Sequence, residues 1–201
     1  MIRQSLLEIL DEVWPTILIS SVIAISVRIT YVIKNKKEFV LYKEVLSFAF
    51  IIYVLCLFYV VTFQDIGWST SNFIPFKEMF RYKLGSRLFI KNVLGNIIMF
   101  IPYGYFVSYY LDLKKVRSNN LLVLLVSLSI EFTQLVIGRV FDIDDIILNL
   151  IGGTIGFGFY RSLGFVEQHL PDVLKKPIIK NIIIIILVVL FALYMLNFIG
   201  V

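Results

Sequence analysis

Six stretches of about 20 predominantly apolar residues leave this chain few folds to choose from. They fall at 13–33, 44–63, 92–111, 120–137, 145–163 and 178–199. A helix of that length crosses the hydrocarbon core of a bilayer, and in hydrocarbon every backbone N–H and C=O must be satisfied internally. The last stretch runs from Ile182 to Leu190 without one polar residue and reads as a lipid-facing anchor. Composition agrees, with 59% hydrophobic residues, 16% charged and a mean hydropathy of +0.90. A soluble domain is nearer half apolar and a quarter charged. The predicted fold is therefore all-α, a polytopic transmembrane helical bundle of about six helices. The first run is not a signal peptide: it is too long, Glu8, Asp11 and Glu12 precede it, and Lys-rich sequence follows with no small-residue cleavage site.

Charge orients such a chain. The formal charge is +5 at pH 7, which in a membrane protein reflects loops facing anionic lipid and implies no nucleic-acid partner. The loops after the first, third and fifth spans and the basic residues beside them hold 11 Lys and Arg, against 7 on the other side. This excess predicts cytoplasmic odd loops, with both termini outside. Cys56 is the only cysteine, so no internal disulfide and no cysteine metal site is available. His169 is the only histidine and is expected on the surface of an odd loop. No metal and no cofactor is expected. The longest loop, Gln64 to Lys91, alternates aromatic and basic residues around Asn72-Phe73-Ile74-Pro75-Phe76. That pattern suits either a segment lying in the headgroup layer or an ordinary basic loop with aromatic anchors.

Polar residues inside membrane helices carry an insertion cost of about 2.5–3.5 kcal/mol for a central Asp or Lys, so each calls for a reason. The third span begins with Asn92 and Asn96 on one face, and Pro102 and Gly104 follow where a kink is permitted. The fourth carries Glu131 and Gln134, three apart, with Glu131 about 10 Å from the turn at Gly138. The fifth begins Asp142, Asp144, Asp145, and Asp142, Asp145 and Asn149 share a face. Gly152 and Gly156 form a small-xxx-small pair suited to close helix packing. The third span starts, the fourth ends and the fifth starts on one side of the membrane. Asn96, Glu131, Gln134, Asp142, Asp145 and Asn149 therefore gather near one surface, beside Arg139 and under the loop that begins at Asn72. Simpler readings stand alongside: Asp142 and Asp145 as a capping box, Asp144 on a solvated face, and Glu131 paired with Arg139 as a structural bridge.

The segments Asn72-Phe73-Ile74-Pro75-Phe76, Asn92-Val93-Leu94-Gly95-Asn96 with Phe100 and Pro102-Tyr103-Gly104, Ser129-Ile130-Glu131-Phe132-Thr133-Gln134, and Gly138-Arg139 with Asp142-Ile143-Asp144-Asp145, Asn149 and Gly152 resemble the VanZ-like family in order and spacing. The resemblance implies a family core at 72–164; the apolar pattern places two helices in 1–71 before it and a linker and apolar anchor in 165–201 after it. It implies a multi-pass protein of the bacterial plasma membrane, and its namesake is associated with low-level teicoplanin resistance. Three functions follow as expectations. In the first, a polar pocket on the outer face, formed by Asn72, Asn96, Glu131, Gln134, Arg139, Asp142, Asp145 and Asn149, binds an amphiphile. That amphiphile is a lipid-linked cell-wall precursor or a lipoglycopeptide, and membrane lipids are the remaining partners. In the second, the protein is a membrane enzyme acting on a lipid-linked substrate, although no nucleophile–base set can be named. In the third, it is a structural or assembly subunit.

Overall fold

The computed structural model describes residues 2–36, 38–63 and 71–199. The start of the long loop, 64–70, and Lys37 among the odd-loop lysines lie outside the described residues. The chain is helical almost throughout: α1 (Ile2–Lys34), α2 (Leu41–Phe63), α3 (Lys77–Arg81), α4 (Arg87–Phe89), α5 (Gly95–Leu111), α6 (Val116–Val136), α7 (Ile143–His169), α8 (Asp172–Lys175) and α9 (Pro177–Ile199). A π-helical turn, Ile90–Leu94, joins α4 to α5. Among the described residues six helices are long and apolar enough to cross a membrane, over Glu12–Lys34, Leu41–Thr62, Arg87–Leu111, Val116–Val136, Ile143–His169 and Pro177–Asn197. The third begins five residues earlier than the apolar pattern predicts, because the π turn carries the helix back to Arg87. The fifth runs on to His169, which is exposed at the end of α7 and not in a loop.

Two compact units divide the chain. One holds residues up to Tyr59 together with those from His169 onward. Within it, Arg28 reaches Glu44 through two hydrogen bonds of 2.7 Å, and the backbone N–H of Tyr42 donates to Asn181 Oδ1 at 3.0 Å. The other unit, Val60–Gln168, contains the last turn of α2 and α3 to α7.

Three helices form the centre of the second unit, and glycine sets their spacing. A β-carbon on Gly104 would collide with the carbonyl of Gly153. One on Gly152 would collide with the carbonyl of Ile97, and one on Gly156 with that of Ile101. Thus α5 and α7 touch backbone to backbone, as the small-xxx-small pair suggests. On the third side Gly153 meets the side chain of Val123 from α6. The fully buried Phe100 and Val123 fill this packing, and polar side chains pair beside them. Asn119 donates to Gly153 O at 2.9 Å and accepts from Ser108 at 3.2 Å, and Thr154 donates to Asn120 at 3.0 Å.

The helix ends are built locally. Gly138, at φ +83°, closes α6: its N–H donates to Leu135 O at 3.2 Å and the N–H of Arg139 to Gln134 O at 2.8 Å. Those two bonds define a Schellman turn, whose left-handed position glycine occupies without a β-carbon penalty. At the other membrane face α5 stops at Asp112. The Lys114 ammonium first, and the Tyr160 hydroxyl second, hold its carboxyl below the usual range.

Candidate functional site

The turn between α6 and α7 organises one end of the second unit. Residue Asp142 precedes α7, and its Oδ1 accepts the N–H of Asp144 at 2.9 Å, the N-cap role its position suggests. The reciprocal half of a capping box would have Asp145 take the N–H of Asp142. Instead Glu131 Oε2, reaching from α6, accepts that N–H at 2.9 Å. Asp145 is thereby released and accepts from the Asn96 amide of α5. The capping-box reading is corrected accordingly: the box is closed between two helices, by a carboxylate 11 residues back in sequence, while the one three residues on is taken up by Asn96 of α5.

The expectation of a solvated Asp144 is also overturned. It is 1% exposed. Its carboxylate accepts the backbone N–H groups of Phe76, of Glu78 at 2.8 Å and of Met79 at 2.9 Å. These are the orphan donors at the start of α3, whose own N-cap, Phe76, has no oxygen to offer and sits in the left-handed region at φ 67°. A residue of α7 therefore caps a helix of the long loop. Nothing in local sequence links positions 144 and 76, so the pattern i, i+3, i+7 could not reveal it.

The loop is held at a second point. The N–H of Asn72 donates to Phe141 O at 2.8 Å, and that of Ile143 donates to Asn72 O at 3.1 Å, an isolated parallel bridge. The Asn72 amide donates to Asp142 Oδ1 at 2.9 Å, and Phe73 stacks on Phe141 with ring centres 5.2 Å apart. Burial pushes the Asp142 carboxyl above its ordinary range, against the Asn72 and Asp144 N–H bonds that pull it down.

Arg139 does not bridge to Glu131. Its guanidinium donates to Val61 O at 2.6 Å, a carbonyl in the last turn of α2, and the Gln134 amide approaches the same oxygen at 3.5 Å. One turn further down α7, Asn149 donates to Ser127 at 2.9 Å, while its buried Oδ1 has no hydrogen-bond partner among the described residues.

All eight residues singled out from sequence thus lie in the second unit at or near this turn. Asn72, Glu131, Gln134 and Asn149 are buried, whereas Asn96, Arg139, Asp142 and Asp145 are half-buried. The buried set also includes Asp144, expected on a solvated face, and Ser108, Asn119 and Ser127, which sequence reading left out. A signal for two of them exists: Asn119, Val123, Ser127 and Glu131 recur every fourth residue along α6 and form its buried stripe. Among the described residues no group of three or more His, Cys, Asp or Glu is placed to hold a metal ion. The three aspartates diverge, toward the α7 turn, toward α3 and toward Asn96.

No curated protein and no solved structure matches the chain. A sequence model of the VanZ/LLP1 family matches residues 50–167, more than half of the chain and nearly the whole of the second unit. With that match covering the long loop, the glycine-spaced α5–α7 seam and the Glu131–Asp142 turn, the chain belongs to the VanZ/LLP1 family.

Proposed function

We propose that the second unit binds an amphiphilic ligand at the outer leaflet of a bacterial plasma membrane, either a lipid-linked cell-wall precursor or an acylated glycopeptide such as teicoplanin. The observation that carries this reading is the convergence of half-buried Arg139, Asn96, Asp142 and Asp145 at one end of a membrane unit, beside a basic, aromatic loop. Arg139 and the loop cations supply contacts for phosphate or carboxylate. The Asn96 amide supplies a contact for sugar or peptide groups. Glu131, Gln134, Asn149 and Asn72 stand behind them and hold the arrangement. The resistance association of the family's namesake makes teicoplanin the first ligand to test.

The test is teicoplanin susceptibility in a sensitive bacterial host, with folded protein quantified for every variant. Expression of the native chain raises the inhibitory concentration, and Arg139→Ala abolishes the rise at an unchanged protein level. Vancomycin, which carries no acyl chain, serves as the contrast. An unchanged teicoplanin value with the native chain removes the antibiotic from the ligand class. Binding of undecaprenyl phosphate to the purified protein then tests the precursor.

A second reading has its own support. Glu131 and Asp144 commit their carboxylates to backbone donors of this same chain, which favours an assembly role in which the network fixes the loop for a partner to use. In that case the purified native chain binds neither teicoplanin nor undecaprenyl phosphate.

A further inference from the structure

The geometry points to a second property of the long loop: the segment Phe73–Lys91 is a fixed interfacial element that binds the anionic headgroups of the bilayer in which the protein sits. Depth is the first argument. Asn72 is bridged to residues 141–143, and α3 hangs from the carboxylate of Asp144. Ile143 is the first residue of a membrane-length helix, and at the other end the segment runs into Arg87, the first residue of another. A segment tied by hydrogen bonds to the first turn of one spanning helix and continuous with the start of another cannot rise far into water.

Side-chain direction is the second argument. At that depth Phe73 is 68% exposed, Phe80 80% and Leu84 81%, with Ile74 and Leu88 exposed beside them. In water such a row of apolar groups would collapse onto the protein. Here the Asp144 cap and the Asn72 bridge hold the backbone and leave the side chains outward, toward the acyl boundary.

Charge names the lipid. Residues 71–91 carry Lys77, Arg81, Lys83, Arg87 and Lys91 against Glu78 alone, and Glu78 is already paired with Arg81 at 3.1 Å. An excess of cations at the level of lipid phosphates favours anionic over zwitterionic headgroups, each added cation contributing about fivefold near the surface.

The test uses the full chain with Trp14 and Trp68 replaced by Phe and with Phe80→Trp as the only reporter, reconstituted in vesicles. Brominated phosphatidylglycerol and brominated phosphatidylcholine are compared as quenchers. The expected result is quenching by both, with a preference of about fivefold or more for phosphatidylglycerol. That preference falls toward unity in Lys77→Gln/Lys83→Gln and at high salt. Leu84→Trp repeats the measurement should Phe80→Trp fold poorly. Quenching by aqueous iodide and not by brominated lipid overturns the proposal, and so does equal quenching by the two lipids. No glycopeptide or cell-wall precursor is present in these vesicles, so the outcome is separate from that of the proposed ligand.

Discussion

Asp144 and Glu131 both sit inside membrane-length helices, and both serve the backbone of another element. This determines what their substitution does. Asp144→Ala removes the acceptor for three N–H groups of the α3 start. Hydrogen bonds to charged groups contribute about 1.5–3 kcal/mol. Tryptic cleavage at Lys77, Arg81 and Lys83 is therefore expected to accelerate about tenfold or more, measured by limited proteolysis of the folded protein, with Asp144→Asn intermediate. For Glu131 the isostere separates roles. Glu131→Gln keeps an oxygen for the Asp142 N–H and should melt near the native temperature. Glu131→Ala leaves that N–H unpaired, at a cost of about 1–3 kcal/mol, visible as a lowered thermal midpoint in detergent. Asp142 gives a pH dependence of defined sign. Its folded-state value lies above the ordinary one through burial, so its contribution is fully present at low pH. That contribution is lost as pH rises from about 4 through the raised value. Asp142→Asn should flatten the fall of stability over that window in a detergent melt.

At the scale of elements, the α5–α7 seam and the α6 turn set the frame in which those side chains meet. The seam tolerates no β-carbon at Gly152 or Gly156, so Gly156→Leu must push two backbones apart. Overpacking typically costs about 1–3 kcal/mol and more when backbone must move. The expected result is loss of monodisperse protein on size exclusion, whereas Gly158→Leu on the same helix, where nothing lies within 4 Å of a β-carbon, stays native. The α6 turn depends on Gly138 at φ +83°. Gly138→Ala incurs the left-handed penalty of about 1–2 kcal/mol and should loosen the Arg139–Val61 contact it positions. The long loop behaves as an element as well. Its helix α3 is five residues long, too short to stand alone, and is stabilised from α7.

At the scale of the whole molecule, the sequence predicts a side as well as a fold. The excess of odd-loop cations, 11 against 7, predicts that the Asn72–Arg139 end lies outside. Single cysteines at Lys77 or Lys83, exposed on the loop that Asn72 anchors to this end, in a Cys56→Ser background, should react with a membrane-impermeant thiol reagent in intact cells. Reaction only after permeabilisation would put this end in the cytoplasm and remove the antibiotic as a direct ligand. Much of the molecule is legible in its sequence. Six spans, their polar interruptions and the order of the family segments are set by hydrophobic length and by the insertion cost of polar groups, both properties of local sequence. The N-cap role of Asp142 and the close packing of Gly152 and Gly156 are legible for the same reason, since each depends on spacing within one helix. What each carboxylate bonds is not legible there. Asp144 meets Phe76 across 68 residues, Asn96 meets Asp145 across 49, and Arg139 finds a carbonyl at Val61 across 78. Sequence sets the demand for partners in a medium without water. Only the packing of α6 against α5 and α7, the latter two brought within backbone contact by glycine, decides which partners are near enough to meet it.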